Sequence, residues 1–391
     1  MTSEALIALG EQVTMHTFNR ADKVMVSGQG TYVTDLEGNK YLDFISGIAC
    51  NVLGHADPGF VAHLSQQAGK LIHVSNLFWH EPGIHLAEKL VNLSGLDQVF
   101  FANSGAEANE AALKLARKWG IETKGPDAYE IISMKQSFHG RTMATLTATG
   151  QPALQTGFEP LLPGFSYVAF NDSQALIEAV NPNTAAVIVE VIQGEGGVNQ
   201  LTPEFIETVN QIQDEANVLV IIDEVQTGIG RTGTMFAYQQ TALKPDIISL
   251  AKGLGGGYPI GAIVAKKDVA NHFQPGDHGT TFGGNPLATA AGNYILDAFE
   301  ERNLLANVQD KSAYLIEAIT KLNHPDVTEI KGQGLLIGIG LTKPVADVVK
   351  EASNLGLLVT SSKGNVLRLL PPLNVGKDEI DQAVAILAQV L

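Results

Sequence analysis

Two apolar stretches decide the fold of this chain: Val218-Leu-Val-Ile-Ile-Asp223-Glu-Val-Gln226 and Asp246-Ile-Ile-Ser-Leu-Ala-Lys252-Gly-Leu-Gly-Gly-Gly257. Short runs of β-branched and aliphatic residues that end in polar or glycine residues are typical of buried parallel strands. Ligands of such sheets bind at the carboxyl ends of the strands. Because Asp223 and Lys252 each stand at the end of one run, we expect both side chains at the same edge of the sheet.

An acid and a lysine at one edge of a sheet can hold opposite ends of one flat cofactor. Pyridoxal 5'-phosphate (PLP) needs such a pair, because a lysine bonds to its aldehyde and an acid faces its pyridine nitrogen. The two stretches therefore predict a PLP site in which Lys252 and Asp223 are the catalytic residues.

The bulk composition limits the possible partners. The chain has 391 residues, enough for two domains, and its net charge of −16 argues against nucleic acid or an anionic membrane as a partner. Cys50 is the single cysteine, so neither an internal disulfide nor a cysteine metal cluster is expected, which suits the cytoplasm. No metal site is predicted, and we expect His55, His80, His85 and His139 to be structural or surface residues. The first residues lack the pattern of a signal peptide, and no apolar stretch is long enough to span a membrane.

From about residue 98 onward, strand and helix patterns alternate, which predicts an α/β fold. The strand candidates are 98–102, 129–134, 165–170, 185–192, 218–223, 246–250 and 260–265. The helical patterns between them are 106–119, 173–180 and 203–216. We therefore expect a large domain with a mainly parallel seven-stranded sheet between helices.

A smaller α+β domain is expected after the sheet. Its patterns are helices at 286–300, 304–322 and 378–390, and strands near 335–341 and 366–370. The hairpin pattern at 31–44 is expected to join it, because chain ends usually meet at one side of a compact unit. The predicted large domain is thus 51–285, and the small domain combines 1–50 with 286–391.

Two polar segments follow strands in positions that suit a cofactor. Asn103-Ser-Gly-Ala-Glu-Ala-Asn109 opens a helix, and small residues there expose backbone N–H groups that bind phosphate. A plain N-cap serine explains Ser104 as well. In the second segment, Ser137-Phe-His-Gly-Arg141, the arginine can clamp a carboxylate, or it is simply a surface residue.

Two glycine-rich loops can each be interpreted either as part of a ligand site or as an ordinary connection. The three glycines around Glu195 suggest backbone held close to a ligand, or an ordinary turn. Gly279-Thr-Thr281-Phe-Gly-Gly-Asn-Pro286 offers two hydroxyls that suit phosphate, or it is a loop that links domains.

The stretch Gly228-Ile-Gly230-Arg-Thr-Gly233 matches the dinucleotide pattern G-x-G-x-x-G. Its context is wrong for nicotinamide binding, because Glu-Val-Gln-Thr separates it from the preceding strand and no clear helix follows. An NAD-dependent oxidoreductase and a catalytically idle binding protein nevertheless remain as alternatives. A visible absorption band abolished by borohydride would favour PLP, and turnover with glutamate would exclude the idle protein.

Taken together, these motifs resemble the class III, fold-type I PLP aminotransferases, and most closely those that act on acetylornithine. The resemblance runs from about Gly28 to the end of the chain. The stretches that carry it are Asn103-Ser-Gly-Ala-Glu-Ala-Asn, Phe138-His-Gly-Arg, Gln193-Gly-Glu-Gly-Gly-Val, Asp223-Glu-Val-Gln-Thr-Gly-Ile-Gly-Arg-Thr-Gly, Lys252-Gly-Leu-Gly-Gly-Gly and Gly332-Gln-Gly-Leu-Leu-Ile-Gly.

The resemblance implies a role for each residue around the cofactor ring. Lys252 forms the covalent link to the cofactor and later moves the proton, and Asp223 pairs with the pyridinium nitrogen. Phe138 and Val225 sandwich the ring, and Gln226 meets its phenolic oxygen.

The resemblance also implies how the cofactor phosphate is held. Ser104, Gly105 and Ala106 bind it, and Thr281 joins them from the neighbouring subunit of a homodimer with shared active sites. Glu224, next to Asp223, is included among the cofactor-binding residues. Ala106 stands where threonine is common, which is harmless if the contact is made through the backbone amide.

For the substrates, the resemblance implies a binding site built around Arg141, which takes a carboxylate with Thr280 nearby. Glu195 and Arg368 form a gating pair. Ile48 stands where ornithine δ-aminotransferases carry a tyrosine that holds the free α-amino group, and an apolar residue there suits a donor whose α-nitrogen is acylated. Val191 replaces a common proline, so the loop that follows it is expected to be less rigid.

The expected substrates are therefore a small-molecule amino donor, N2-acetyl-L-ornithine, and 2-oxoglutarate as acceptor, in arginine biosynthesis. Ornithine, 4-aminobutyrate and N-succinyl-diaminopimelate remain as alternative donors, because relatives that act on such amines share most of the motifs.

Overall fold

The structure, a computed structural model, describes residues 1–391. Its strands, numbered in chain order, are β1 (Met25–Gln29), β2 (Tyr32–Asp35), β3 (Lys40–Asp43), β4 (Gln98–Ala102), β5 (Glu130–Met134), β6 (Phe165–Val168), β7 (Thr184–Val189), β8 (Ile192–Gln193), β9 (Asn199–Gln200), β10 (Leu219–Asp223), β11 (Ile247–Leu250), β12 (Gly261–Ala265), β13 (Val327–Gln333), β14 (Leu336–Leu341), β15 (Leu357–Leu358), β16 (Thr360–Ser362) and β17 (Val366–Leu369).

The helices are α1 (Ser3–Val13), α2 (Ser46–Ala49), α3 (Pro58–Ala68), α4 (Glu81–Ser94), α5 (Gly105–Lys124), α6 (Met143–Ala148), α7 (Pro152–Gln155), α8 (Ser173–Ala179), α9 (Pro203–Ala216), α10 (Lys267–Ala270), α11 (Pro286–Glu301), α12 (Leu304–Leu322), α13 (Val345–Asn354) and α14 (Lys377–Val390). Two short 3₁₀ turns lie at Ala237–Gln240 and Lys252–Gly255. No helix combines the length and the apolar character that a membrane crossing would need.

The central sheet has seven strands in the order β4-β12-β11-β10-β7-β5-β6. Only β12 runs against its neighbours, since it pairs antiparallel with both β11 and β4. The remaining strands are parallel, as the continuous apolar runs predict, and every residue of β7 and β10 is buried. The expected α/β class and the mainly parallel seven-stranded sheet are therefore confirmed.

The two faces of this sheet belong to two separate apolar clusters, because successive strand residues point to opposite sides. Leu219 and Ile221 of β10 pack in the cluster that contains the buried side of α5. Val220 and Ile222 pack in the larger cluster, which also holds the apolar residues of the C-terminal segment. The sheet thus lies between helix α5 on one side and the main core of the molecule on the other.

One of the smaller sheets joins the two ends of the chain. The hairpin β2–β3 extends into a four-stranded sheet, β1-β2-β3-β15, in which β3 pairs in parallel with β15 from the C-terminal segment. A second four-stranded sheet has the order β13-β14-β17-β16. The domain boundaries after residues 50 and 285 stay predictions.

Several elements differ from the sequence patterns. The run 185–192 is not one strand, because β7 ends at Val189 and the chain leaves the sheet before β8, which pairs with β9 instead. Helices α3 and α4 are absent from the pattern-based expectation, and the structure shows why. Helix α3 buries no residue in this chain and α4 buries only Leu86 and Leu90, so neither has a wide apolar stripe.

Helix α5 lies unusually close to the sheet at Gly120. A methyl group on this residue would lie 2.1 Å from the carbonyl oxygen of Ala128 and 2.7 Å from Cβ of Ala185 in β7. We therefore expect Gly120→Ala to lower the free energy of unfolding by about 2 kcal/mol, the typical cost of overpacking a core.

Thermal unfolding of matched variants checks this expectation. The control is Gly10→Ala in α1, where nothing lies within 4 Å of the new methyl group. Alanine favours a helix by roughly 1 kcal/mol over glycine, so the control should unfold at or above the wild-type temperature. Equal unfolding temperatures for wild type and Gly120→Ala would contradict the close packing of α5.

Candidate active site

A cavity of about 440 Å³ lies at the carboxyl edge of the central sheet. Residues that follow β4, β5, β7, β10 and β11 line it, and so does the segment before the antiparallel β12. Its lining includes most of the residues that the sequence singles out, namely Ser104, Gly105, Ala106, Phe138, Arg141, Glu195, Asp223, Val225, Gln226 and Lys252. The structure therefore brings the separate motifs into one site.

Asp223 is the last residue of β10 and is almost fully buried at the cavity wall. Its Oδ1 accepts a hydrogen bond from the backbone N–H of Val225 at 2.9 Å. Its Oδ2 accepts one from Asn109 Nδ2 and interacts with His139 Nδ1, each at 2.7 Å. A carboxylate has about four acceptor positions, so three partners leave one position on Oδ1. No lysine or arginine pairs with Asp223, and a cationic N–H donor in the cavity would complete its environment.

Lys252 follows β11 and opens a 3₁₀ turn. Its backbone has a left-handed φ of 46°, which is uncommon for a residue with a side chain and is frequent at functional sites. The amine lines the cavity and has no hydrogen-bond or ion-pair partner in the chain. Burial lowers the pKa of this amine, so its neutral, nucleophilic form is favoured.

The N-terminus of the 20-residue helix α5 also lines the cavity. Ser104 caps the helix, and its Oγ accepts a hydrogen bond from Glu107 N at 3.1 Å. The first backbone N–H groups of a helix lack partners within the helix and favour a bound anion. Gly105 is required here, because a side chain on it would lie 2.7 Å from Cγ1 of Val225.

The guanidinium of Arg141 lines the cavity and has no carboxylate partner. Its Cζ lies 5.6 Å from the centre of the Phe138 ring, an arrangement that holds the arginine over an aromatic face. An unpaired arginine at the mouth of a cavity is well suited to bind a carboxylate in bidentate fashion.

Arg368, which is buried, forms an ion pair with the partly exposed Glu195, with 2.6 Å between Nη1 and Oε1. The same Nη1 donates to Gly194 O at 2.7 Å and to Gln226 Oε1 at 3.2 Å. Gln226 Nε2 in turn donates to Glu195 Oε1 at 3.3 Å. Burial alone would raise the pKa of Glu195, but the guanidinium of Arg368 outweighs burial and holds that pKa below its usual value. Arg368 itself lies behind the cavity wall, which Glu195 and Gln226 form.

Three other predicted site residues do not line the cavity of this chain. Thr281 is exposed, and Thr280 Oγ1 accepts a hydrogen bond from Asn103 Nδ2 at 2.9 Å in a neighbouring depression. Ile48 is 44% exposed and lies in α2, a single turn in which all four residues have left-handed φ angles of 49–64°. This strained turn leads directly to Cys50, which does line the cavity.

Glu224, which the resemblance places among the cofactor-binding residues, does not line the cavity. Its side chain points away from the cavity, where it accepts hydrogen bonds from Thr227 Oγ1 at 2.6 Å and from Tyr238 N at 2.9 Å. Burial raises the pKa of Glu224 to about 7. The physical reason is alternation along an extended chain, since a residue next to Asp223 faces the opposite side.

Sequence reasoning missed three residues of the site. His139, expected to be structural or on the surface, is buried beside Asp223, and its Nε2 has no partner. Asn109 Nδ2, which donates to Asp223, also donates to the backbone carbonyl of His139 at 2.8 Å. Glu190 follows β7 next to Asp223 and accepts a hydrogen bond from Phe138 N at 3.2 Å. Burial, together with Asp223, raises the pKa of Glu190 well above its usual value. The signal for His139 and Asn109 was available, because both lie within the quoted motifs.

The cavity fits PLP on the chemistry of its donors and acceptors. Asp223 has one acceptor position left for a protonated ring nitrogen, and Lys252 has an unpaired amine for an aldehyde. The start of α5 offers backbone N–H groups to a phosphate. Phe138 and Val225 provide apolar lining surface for a flat ring.

Comparison with known proteins agrees with this geometry. A model of the family described as aminotransferase class-III matches residues 17–391. An acetylornithine aminotransferase of Caldanaerobacter subterraneus subsp. tengcongensis is 51% identical over 389 residues, which cover 99% of each chain. The acetylornithine aminotransferase of Bacillus subtilis is 48% identical over 378 residues, which cover 96% of each chain.

Solved structures show the same similarity. An ornithine aminotransferase from Toxoplasma gondii with partial occupancy of PLP at its active site is similar with a TM-score of 0.95 and 34% identity, over 100% of this chain and 94% of that one. The acetylornithine aminotransferase from Elizabethkingia anophelis has a TM-score of 0.88 and 34% identity, over 100% and 99% of the two chains. The expected fold-type I architecture is confirmed, and this chain belongs to the class-III aminotransferases.

Proposed function

We propose that this chain transfers the terminal amino group of N2-acetyl-L-ornithine to 2-oxoglutarate with PLP as cofactor, a reaction of arginine biosynthesis. The products are N-acetyl-L-glutamate 5-semialdehyde and L-glutamate. The observation that carries the proposal is a single cavity in which an unpaired buried lysine and an acid with one open acceptor position face a helix N-terminus. Relatives that match the chain over nearly its whole length are named for acetylornithine, which supports this donor.

When bound, PLP supplies an aldehyde that takes up the amine and a ring that draws in negative charge from the neighbouring carbon. Asp223 would hold the proton on the ring nitrogen, because its other three acceptor positions are already used. Lys252 would bind the aldehyde carbon and, once released, carry the proton as general base and acid, since burial favours its neutral form. Phe138 and Val225 would hold the ring, and Gln226 would donate to its phenolic oxygen.

The phosphate would be held by Ser104 and by the backbone N–H groups of Gly105 and Ala106. A side chain at position 106 is not needed for such a contact, so the alanine is compatible with it. Thr281 is exposed and lies outside the cavity of its own chain, which supports a contribution to a second subunit.

A homodimer is also supported by exposed apolar residues near this loop. Leu77 is 82% exposed, Phe78 68%, Trp79 89% and Phe282 61% in the single chain. Such a cluster is typical of an interaction surface. We infer that two copies meet there, with each cavity completed by its partner, and that the enzyme works in the cytoplasm.

The two substrates present different carboxylate patterns, and two arginines would serve them. Arg141 would take the carboxylate distant from the reacting nitrogen in both acetylornithine and glutamate. The second carboxylate of glutamate needs Arg368, whose Nη2 has no hydrogen-bond partner. During the acetylornithine half-reaction Glu195 would neutralise Arg368, because an unpaired charge in a partly dry site is costly.

Ornithine, 4-aminobutyrate and N-succinyl-diaminopimelate remain the alternative donors. A panel of these donors assayed with 2-oxoglutarate tests the proposal directly. Turnover that is fastest with a donor other than acetylornithine would replace the proposed substrate but not the reaction class.

Replacing Lys252 should abolish the covalent attachment of the cofactor. We expect Lys252→Ala to fold, to show no borohydride-fixed cofactor by mass spectrometry, and to lose at least about four orders of magnitude in transamination, roughly 5 kcal/mol of barrier. The matched control is Lys244→Ala, a surface lysine that pairs with Asp214 at 3.5 Å and should behave as wild type. Normal turnover of Lys252→Ala would contradict the assignment.

Donor choice should respond to position 48. Ile48→Tyr should improve ornithine relative to acetylornithine by about tenfold in kcat/KM, because a hydrogen bond to a charged group is worth about 1.5 kcal/mol or more. Ile48→Phe supplies the same ring without the hydroxyl and should leave the ratio unchanged. If the wild-type enzyme already prefers free ornithine several-fold, the inference of an acylated donor is wrong.

The ion pair should separate the two half-reactions. Glu195→Ala leaves Arg368 open and should speed the glutamate half-reaction relative to the acetylornithine one. Arg368→Ala should mainly slow the half-reaction with 2-oxoglutarate. Single-turnover kinetics of each half measure both effects, and equal slowing of both halves by both variants would exclude the gate.

A further inference from the structure

The segment Gly194–Gly197, which carries Glu195, is packed tightly against other parts of the chain. A side chain on Gly194 would lie 1.8 Å from Gln226 Oε1, and one on Gly196 would lie 2.8 Å from Gln136 O. One on Gly197 would lie 2.9 Å from Lys363 O. These glycines therefore let the segment approach protein backbone and side chains, whereas their sequence pattern had suggested close approach to a ligand.

A single side chain bridges both ends of this segment. Ser362, the last residue of β16, donates its hydroxyl hydrogen to Gly194 O at 2.9 Å and accepts a hydrogen bond from Gly197 N at 2.8 Å. The next residue, Lys363, donates its N–H to the backbone oxygen of Glu195 at 3.3 Å. Ser362 is buried, so water does not readily replace these two bonds.

The partner of Glu195 is also held in place. Arg368 lies in β17, which pairs with β16, and the register places Thr360 opposite Arg368 and Ser362 opposite Val366. Its side chain is 1% exposed, and Gly194 O accepts a bond from it in addition to Glu195. The side chain of Glu195, by contrast, is 30% exposed. Glu195 is thus the more exposed member of the ion pair, and hydrogen bonds from Ser362 hold the backbone of its segment.

We propose that Ser362 is a positioning residue that sets the amino-acid specificity of the enzyme by holding the Glu195 segment at the distance where Glu195 closes over Arg368. This inference rests on the proposed gating of Arg368 by Glu195. Ser362 does not line the cavity, so it would act on substrates only through Glu195. Its loss weakens the closed ion pair and leaves Arg368 more available to a second carboxylate, so dicarboxylates bind more tightly.

Glutarate is a suitable probe, because it has two carboxylates at the spacing of glutamate and no amine to react. Calorimetry on the PLP-loaded enzyme measures its Kd without turnover. We expect Ser362→Ala to lower the Kd of glutarate by at least about fivefold, a factor at the lower end of what the loss of two neutral hydrogen bonds from the closed state corresponds to. The Kd of pentanoate, with a single carboxylate, should not change. If Ser362 had a purely structural role, its replacement would weaken the binding of both glutarate and pentanoate, or of neither.

Ser361→Ala is the matched control. Ser361 is the neighbouring residue on β16, is exposed and makes no side-chain hydrogen bond. The Ser361→Ala variant should therefore bind glutarate with the Kd of the wild type. Ser362→Cys keeps the size of the side chain but bonds weakly, and it replaces Ser362→Ala if the alanine variant does not fold. It should also tighten glutarate binding, by a smaller factor.

Glu195→Ala separates the failure of this inference from the failure of the gate. If Glu195→Ala tightens glutarate and the Ser362 variants do not, Ser362 has no positioning role. If Glu195→Ala does not tighten glutarate, the gate itself fails and the inference fails with it. The double variant Glu195→Ala/Ser362→Ala should bind glutarate with the same Kd as Glu195→Ala alone, because the effect of Ser362 passes through Glu195. A further fivefold tightening in the double variant would overturn the proposal.

Discussion

The parallel pairing of β7, β10 and β11 is the constraint on which the site depends. Parallel strands end at a common edge, so residues far apart in the chain arrive there side by side. The register places Ile222 of β10 beside Val189 of β7, and the next residues are Asp223 and Glu190. The antiparallel strand β12 contributes from its other end, because its start lies at the same edge.

This arrangement concentrates charge in a place with little water, and each charged group there needs a partner. Asp223 meets that need through a backbone N–H, Asn109 and His139, so that one acceptor position stays open towards the cavity. Glu190 has a single backbone donor, and burial next to Asp223 favours its protonated form. Arg368 has Glu195, the only carboxylate that it pairs with. The same site thus holds a buried acid with one open acceptor position and a buried arginine with a single carboxylate partner.

Backbone strain accompanies this concentration of function. Lys252 and the four residues of α2 adopt left-handed angles, and such residues cost about 1–2 kcal/mol each unless they are glycine. The chain holds α2 with specific bonds, since Ser46 Oγ donates to Leu370 O at 2.7 Å and Asp43 Oδ1 accepts from Ile45 N and Ser46 N at 2.9 Å. The surrounding fold thus supports the strained turn, which includes Ile48, the residue expected to distinguish donors.

The sequence by itself determined the fold class, the cofactor and the motifs that converge on it. Apolar runs that end in Asp223 and Lys252 are local patterns, and the parallel strands that they specify meet at one edge for general reasons. Only the tertiary structure decided which neighbours those motifs have. His139 and Glu190 reach Asp223 through the packing of separate strands, and Ser362 reaches Gly194 across more than 160 residues of chain. Adjacency in the sequence does not by itself place a residue in the site: Glu224 is next to Asp223 in the chain but faces away from the cavity. Sequence order specifies periodicity and local chemistry, whereas contacts between distant segments depend on the register and packing that the whole core imposes.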